Sequence, residues 1–84
     1  MPNYQDADLA LQAAVLAHGI AEGQQFIDGN KRTALIAMLV FLEINGWRVE
    51  ASDLDLADWI LSFSMGATPE TVAKLLRLAM RSIG

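Results

Sequence analysis

The chain contains no cysteine, one histidine and few basic residues. Without cysteine, disulfide frameworks, thiolate catalysis and zinc–thiolate sites are excluded. Six Lys and Arg against ten Asp and Glu give a formal net charge of −4. Affinity for a phosphate backbone needs a broad basic face, so this charge balance argues against direct nucleic-acid binding.

Long apolar runs and a signal peptide are also missing. The longest unbroken apolar run extends from Ala34 to Leu42, whereas a membrane-spanning helix needs roughly 20 residues. Met1 is followed by polar residues rather than by a basic and then an apolar stretch. We therefore expect no membrane association and a cytoplasmic location. With 84 residues, the chain fits one small domain over residues 1–84.

The apolar content, by contrast, is high. Hydrophobic residues make up 54% of the chain even without glycine, against a usual ~45–50% with glycine included. A small domain buries only about 60% of its unfolded surface. The composition therefore predicts either a homo-oligomer or a part of a larger fold.

Glycines and one internal proline divide the chain into helical segments and predict an all-α fold. The first helix is predicted over about residues 6–22. The second is predicted over about residues 31–45, capped by Asn30 and ended by a C-terminal glycine, Gly46. Its almost uninterrupted apolar sequence predicts that it is the central helix of the domain.

The second half of the chain predicts a short extended connector and two more helices. The connector covers residues 47–50. The third helix is predicted to follow the cap Ser52, and the fourth to begin at Pro69, a residue that suits a first helical position. Helical periodicity continued to the C-terminus places Arg81 on the polar face of the fourth helix and Ile83 on its buried side.

The residues with the clearest chemical potential stand at the start of the second helix, in the segment 28–32. Unpaired backbone N–H groups and the helix dipole favour an anion there, and Lys31 and Arg32 add positive charge. Gly29 permits close approach of a ligand, Asn30 can donate to a phosphate oxygen, and Asp28 is a hard oxygen ligand suited to Mg²⁺. The alternative is a polar loop before an ordinary helix, because this is also common turn chemistry.

The order of these residues resembles a known signature. Residues 24–35, Gln-Gln-Phe-Ile-Asp-Gly-Asn-Lys-Arg-Thr-Ala-Leu, resemble the Fic/Doc (death-on-curing) motif His-x-Phe-x-Asp/Asn-Gly/Ala-Asn-Lys-Arg-Thr-Ala. The resemblance extends over about residues 11–52 and implies an all-helical Fic-like bundle of about four helices. Lys31 stands where Fic adenylyltransferases carry a second glycine, so the resemblance points to the Doc-type branch.

That resemblance implies a function. Doc-type toxins transfer the γ-phosphate of ATP to a threonine of translation elongation factor Tu, and an antitoxin peptide is an implied partner. By the motif positions, Asp28 would hold Mg²⁺, and Gly29 and Asn30 would bind the nucleotide phosphates. Lys31 and Arg32 would both bind the phosphates and neutralise charge on the transferring group. The implied cofactors are Mg²⁺ and ATP.

Two departures from the motif bear on catalysis. Gln24 takes the position of the histidine that acts as general base, and an amide cannot accept a proton near neutral pH. The family's N-terminal helices and target-docking region are also expected to be missing. His18 lies six residues upstream of the motif position and is predicted to be a structural helix residue. We expect impaired catalysis, and a non-catalytic binding or dimerisation module with the same fold stays an alternative.

Overall fold

The computed structural model describes residues 4–23 and 30–84, most of which are helical. The elements in chain order are α1 (Tyr4–Ala21), α2 (Asn30–Ile44), β1 (Trp47–Val49), α3 (Asp53–Ser64), α4 (Pro69–Ala79) and β2 (Met80–Ser82). The predicted all-α class with four helices and a short extended connector is confirmed. None of the helices in the described part is long and apolar enough to span a membrane.

Local sequence signals account for the helix boundaries of α3 and α4. The Ser52 hydroxyl accepts a hydrogen bond from the Asp55 amide at 3.1 Å, and the Thr68 hydroxyl accepts one from the Thr71 amide at 3.3 Å. Each satisfies an amide that the first turn leaves unpaired. At the end of α2, Gly46 adopts φ +91°, a left-handed conformation that glycine tolerates best.

The C-terminus departs from the helical prediction. The prediction that the fourth helix continues to Ile83 is wrong. Helix α4 ends at Ala79, and the following strand β2 pairs antiparallel with β1. The Glu50 amide donates to the Ala79 carbonyl at 2.8 Å and the Ile83 amide to the Gly46 carbonyl at 3.0 Å. Arg81 therefore lies opposite Arg48 in a sheet, not on a helix face. The partner strand supplies hydrogen bonds that replace those of another helical turn.

The core forms where α1 and α2 meet. Helix α1 packs against α2, α3 and α4, whereas α2 packs mainly against α1, α3 and β1. Of the five buried side chains in the described part of α1, four are alanines, which allow close helix approach. These buried residues are Leu9, Ala10, Ala13, Ala14 and Ala17. Around them pack larger side chains of the other helices, including Met38, Leu42, Ile60, Phe63 and Leu76. The predicted central helix therefore shares the core with α1.

Helix α2 is buried on one side only. Ala34, Met38 and Leu42 are fully buried. On the opposite side, Ile36 and Val40 remain about half exposed and Ile44 is 79% exposed. The apolar residues of this helix therefore exceed what the described fold covers, as the composition led us to expect.

Candidate site at the start of helix α2

The structure describes half of the six predicted site residues. Asn30, Lys31 and Arg32 occupy the first turn of α2. Gln24, Asp28 and Gly29 fall outside the described residues, so their predicted roles stay predictions. The start of α2 thus holds the two predicted cations and the asparagine of the motif.

Asn30 joins the start of α2 to the end of α1. Its side-chain amide nitrogen donates to the Gly23 carbonyl at 2.8 Å and to the Ile20 carbonyl at 3.2 Å. The residue is only 6% exposed. The sequence predicts that its side chain caps α2. Instead, Asn30 is the first residue of that helix, and its side chain donates to carbonyls at and just after the end of α1. Since Gly23 and Asn30 flank residues 24–29, the 2.8 Å bond joins the two ends of that segment.

This contact changes what Asn30 could offer a phosphate. Both amide donors of its side chain point to carbonyls of the protein, which leaves the backbone N–H as its available donor. Its side-chain oxygen is buried and has no donor among the described residues. The sequence did not predict this contact between Asn30 and Gly23, which are seven residues apart. A Cβ atom on Gly23 would lie 3.3 Å from the Ile20 carbonyl oxygen.

Lys31 and Arg32 are exposed and border a cleft. The cleft has a volume of about 340 Å³ and lies between the first turns of α2 and helix α3. Its apolar lining comes from Leu35, Ala57, Ile60 and Leu61. Among the described residues, neither Lys31 nor Arg32 forms an ion pair. The sequence did not predict that α3 lies beside the motif, because that depends on how the helices pack.

The arrangement can attract an anion. The first N–H groups of α2 have no partners within the helix and lie at the positive end of its dipole. Two exposed cations at the same end add charge, and a guanidinium can bind a phosphate through two hydrogen bonds. A ligand with both an anionic group and an apolar part would suit this site, because Lys31 and Arg32 lie beside an apolar cleft.

His18 packs its ring against α3. It is half-buried on α1 and stacks edge-to-face on the Phe63 ring, with the ring centroids 5.0 Å apart. A contact of this kind stabilises the packing of two aromatic rings. The predicted structural role of His18 is confirmed.

Comparison with known proteins places this site in a family. The model of the Fic/DOC family matches residues 1–42, half of the chain. The chain belongs to the Fic/DOC family. Toxin Doc from Mycolicibacterium smegmatis is 40% identical to it over 52 residues, which make up 61% of this chain and 40% of that protein. This similarity supports the Doc branch that Lys31 indicated.

The Fic/DOC match includes the whole predicted site. Residues 24–32, from Gln24 to Arg32, lie inside the matched range 1–42. The chain spans 40% of the length of the curated relative. The activity and partners of a complete toxin therefore enter only as proposals.

Proposed function

We propose that this Doc-like protein is the toxin-family component of a cytoplasmic toxin–antitoxin module and binds ATP with Mg²⁺ at the start of α2. The observation that carries the proposal is the exposed pair Lys31 and Arg32 in the first turn of α2, inside the segment that matches the family. The bound nucleotide would place its phosphates against the backbone N–H groups of that turn.

The donor set that the motif predicts would suit a nucleotide with its metal. Lys31 and Arg32 would neutralise phosphate charge, and Gly29 with the backbone of Asn30 would let the phosphates approach closely. Asp28 would hold Mg²⁺, which usually takes one or two carboxylates together with phosphate oxygens. A metal held there would supply positive charge that neutralises the phosphates. Positioning and charge stabilisation make up most of the catalysis of phosphoryl transfer.

The reaction that we propose is transfer of the γ-phosphoryl group of ATP to a hydroxyl of elongation factor Tu. Gln24 limits the rate of this transfer. The transfer forms a bond from phosphorus to the acceptor oxygen and breaks the bond to ADP, and the hydroxyl proton must pass to a base. The Gln24 amide can accept a hydrogen bond from that hydroxyl but cannot take its proton. Loss of a general base costs about 10²–10⁴-fold in rate, so we propose a nucleotide-binding protein with weak catalysis.

Nucleotide binding is tested by calorimetric titration with Mg-ATP. We expect binding by the unaltered chain and its loss in the double variant Lys31→Ala, Arg32→Ala. A matched control is the double variant Lys74→Ala, Arg77→Ala, which removes the same two charges from the exposed face of α4. If the control weakens binding as much as the test variant, the affinity reflects net charge and the site is wrong.

Catalysis is tested by transfer of radiolabelled γ-phosphate to elongation factor Tu. The variant Gln24→His should be about 10²–10⁴-fold faster than the unaltered chain. Gln12→His, on the exposed surface of α1, is the control and should change nothing. Equal rates for the unaltered chain and Gln24→His would show that no general base is missing at this position.

A second candidate is a non-catalytic binding module that keeps the Fic fold. The observation that favours it is the exposed apolar side of α2 with Ile36, Val40 and Ile44, which suits association with another chain. No Mg-ATP binding and no transfer by Gln24→His would together favour this module. An antitoxin peptide is the partner that we propose in either case.

A further inference from the structure

The buried side of α2 begins with a polar residue. The buried residues of this helix recur every four positions and are Asn30, Ala34, Met38 and Leu42. Between the first two of them, residues 31–33 are all exposed. Asn30 is therefore the one buried residue of the first turn, and the first apolar residue on the buried side comes a full turn later.

Two hydrogen bonds attach this first turn to the end of α1. The Asn30 amide nitrogen donates to the Gly23 carbonyl at 2.8 Å and to the Ile20 carbonyl at 3.2 Å. Ile20 belongs to the last turn of α1, where carbonyls lack partners within the helix, and Gly23 lies two residues beyond that helix. Helix α1 is itself held in the core by its buried alanines. The bonds of Asn30 thus tie the start of α2 to a fixed part of the protein.

We propose that Asn30 is a positioning residue for the phosphate site and keeps the first turn of α2 ordered for an anion. Its side chain acts through Lys31, Arg32 and the backbone N–H groups of the turn. It does not itself donate to the phosphates, because both of its N–H donors point to carbonyls of the protein. This inference rests on the proposed nucleotide binding.

The physical reason is that a helix end opens easily unless tertiary contacts hold it. An anion at the start of α2 needs several first-turn groups in one arrangement at the same time. When that arrangement is populated only part of the time, the apparent affinity falls by the same fraction. Because residues 31–33 are exposed, the buried Asn30 side chain is what the described structure offers to hold the turn.

The same amide bears on the charge beside the site. The last carbonyls of α1 lie at the negative end of its dipole, whereas an anion is attracted to the positive end of the α2 dipole. The Ile20 and Gly23 carbonyl oxygens lie within 3.2 Å of the Asn30 amide nitrogen, and so beside the first turn of α2. The two hydrogen bonds offset their partial negative charge, which would otherwise weaken the attraction of an anion.

Amide hydrogen exchange, followed by nuclear magnetic resonance, tests the anchoring without nucleotide. The amides of residues 34–36 bond to the carbonyls of residues 30–32, so their protection reports whether the first turn is intact. In the unaltered chain they should be protected. Asn30→Ala should speed their exchange at least about tenfold more than Val72→Ala does. Val72 is fully buried on α4, so its truncation weakens the core without removing the anchor.

Calorimetric titration with Mg-ATP tests the consequence for the site. Asn30→Ala should raise the dissociation constant at least about tenfold, as expected if the ordered turn is populated a tenth as often. Val72→Ala and Asn45→Ala should leave it unchanged. Asn45 is a matched asparagine just after α2, exposed, and donates to the Phe41 carbonyl at 2.8 Å. Circular dichroism checks that each variant is folded under the conditions of the titration.

The outcomes separate this inference from the proposed function. If the unaltered chain does not bind Mg-ATP, the proposed function is wrong and the role of Asn30 in it is lost as well. If the unaltered chain and Asn30→Ala bind equally, the nucleotide site stands and the positioning role is wrong. Equal weakening by Val72→Ala would attribute the effect to lost stability and would also overturn the role.

The exchange measurement decides the question even if Asn30→Ala does not fold. Rapid exchange of residues 34–36 in the unaltered chain, as at an open helix end, would show that Asn30 does not hold the first turn. Protection of these amides, together with the expected difference between Asn30→Ala and Val72→Ala where both fold, supports the anchor.

Discussion

Substitution of Asn30 by alanine should lower the free energy of unfolding substantially, because the Asn30 side chain is buried and donates two hydrogen bonds. The change removes two hydrogen bonds, to the Ile20 carbonyl at 3.2 Å and to the Gly23 carbonyl at 2.8 Å. Both lie in a partly buried setting, and Asn30 itself is 6% exposed. The Gly23 carbonyl would lose its donor among the described residues, and the Ile20 carbonyl would keep only the Gly23 amide, at 3.1 Å.

The magnitude follows from those two bonds. A net contribution of about 0.5–1.5 kcal/mol for each hydrogen bond gives a loss of about 1–3 kcal/mol in the free energy of unfolding. Small domains are stable by only about 5–15 kcal/mol in total, so the loss is a large share. The isosteric variant Asn30→Asp removes the same donors and places carboxylate oxygens against the carbonyls, and it should be at least as destabilised.

Urea denaturation followed by circular dichroism at a fixed protein concentration measures this loss, and a fixed concentration also keeps any association constant. The chain offers a matched control in Asn45→Ala. Asn45 also donates to a main-chain carbonyl, that of Phe41 at 2.8 Å, but it is exposed, so water can replace the bond. We expect a loss below about 0.5 kcal/mol for it. Equal losses for Asn30→Ala and Asn45→Ala would refute the argument from burial.

Three further predictions follow from local geometry and are each checked by the same denaturation measurement. Gly46→Ala should cost about 1 kcal/mol because residue 46 has φ +91°, whereas Gly19→Ala, inside α1 with open space around it, should be neutral or stabilising. Met38→Ala should cost about 2–5 kcal/mol because the residue is fully buried, and Met65→Ala, 81% exposed, close to nothing. Glu50→Gln should cost less than about 1 kcal/mol, an effect that salt removes, because its contacts with two arginines are exposed.

Measurements that disagree would locate the error. A neutral Gly46→Ala would mean that the turn relaxes to a conformation open to other residues. Similar losses for Met38→Ala and Met65→Ala would contradict the burial of Met38 in the core. A salt-independent effect of Glu50→Gln would mean that this carboxylate acts through something other than exposed charge.

Several local features of this protein follow from residues that are close together in the chain. The serine and threonine caps, the proline at the start of α4 and the glycine after α2 fixed three helix ends, because these effects act within a few residues of the chain. The motif also determined the family, since its order of residue types is long and specific. Even the apolar excess was visible in the composition, although not which residues would form it.

Tertiary structure decided what depends on distant partners. Met80–Ser82 leaves the helical pattern because β1, more than thirty positions earlier, supplies its hydrogen bonds. Helix α1 joins α2 at the core because its buried alanines allow other helices to approach, and the sequence pattern did not predict which helices these are. Asn30 satisfies the end of α1 instead of its own helix, because folding brings the Ile20 and Gly23 carbonyls within its reach. A sequence pattern indicates the local conformational preference of a segment. These three features depend instead on contacts between segments that are distant in the chain.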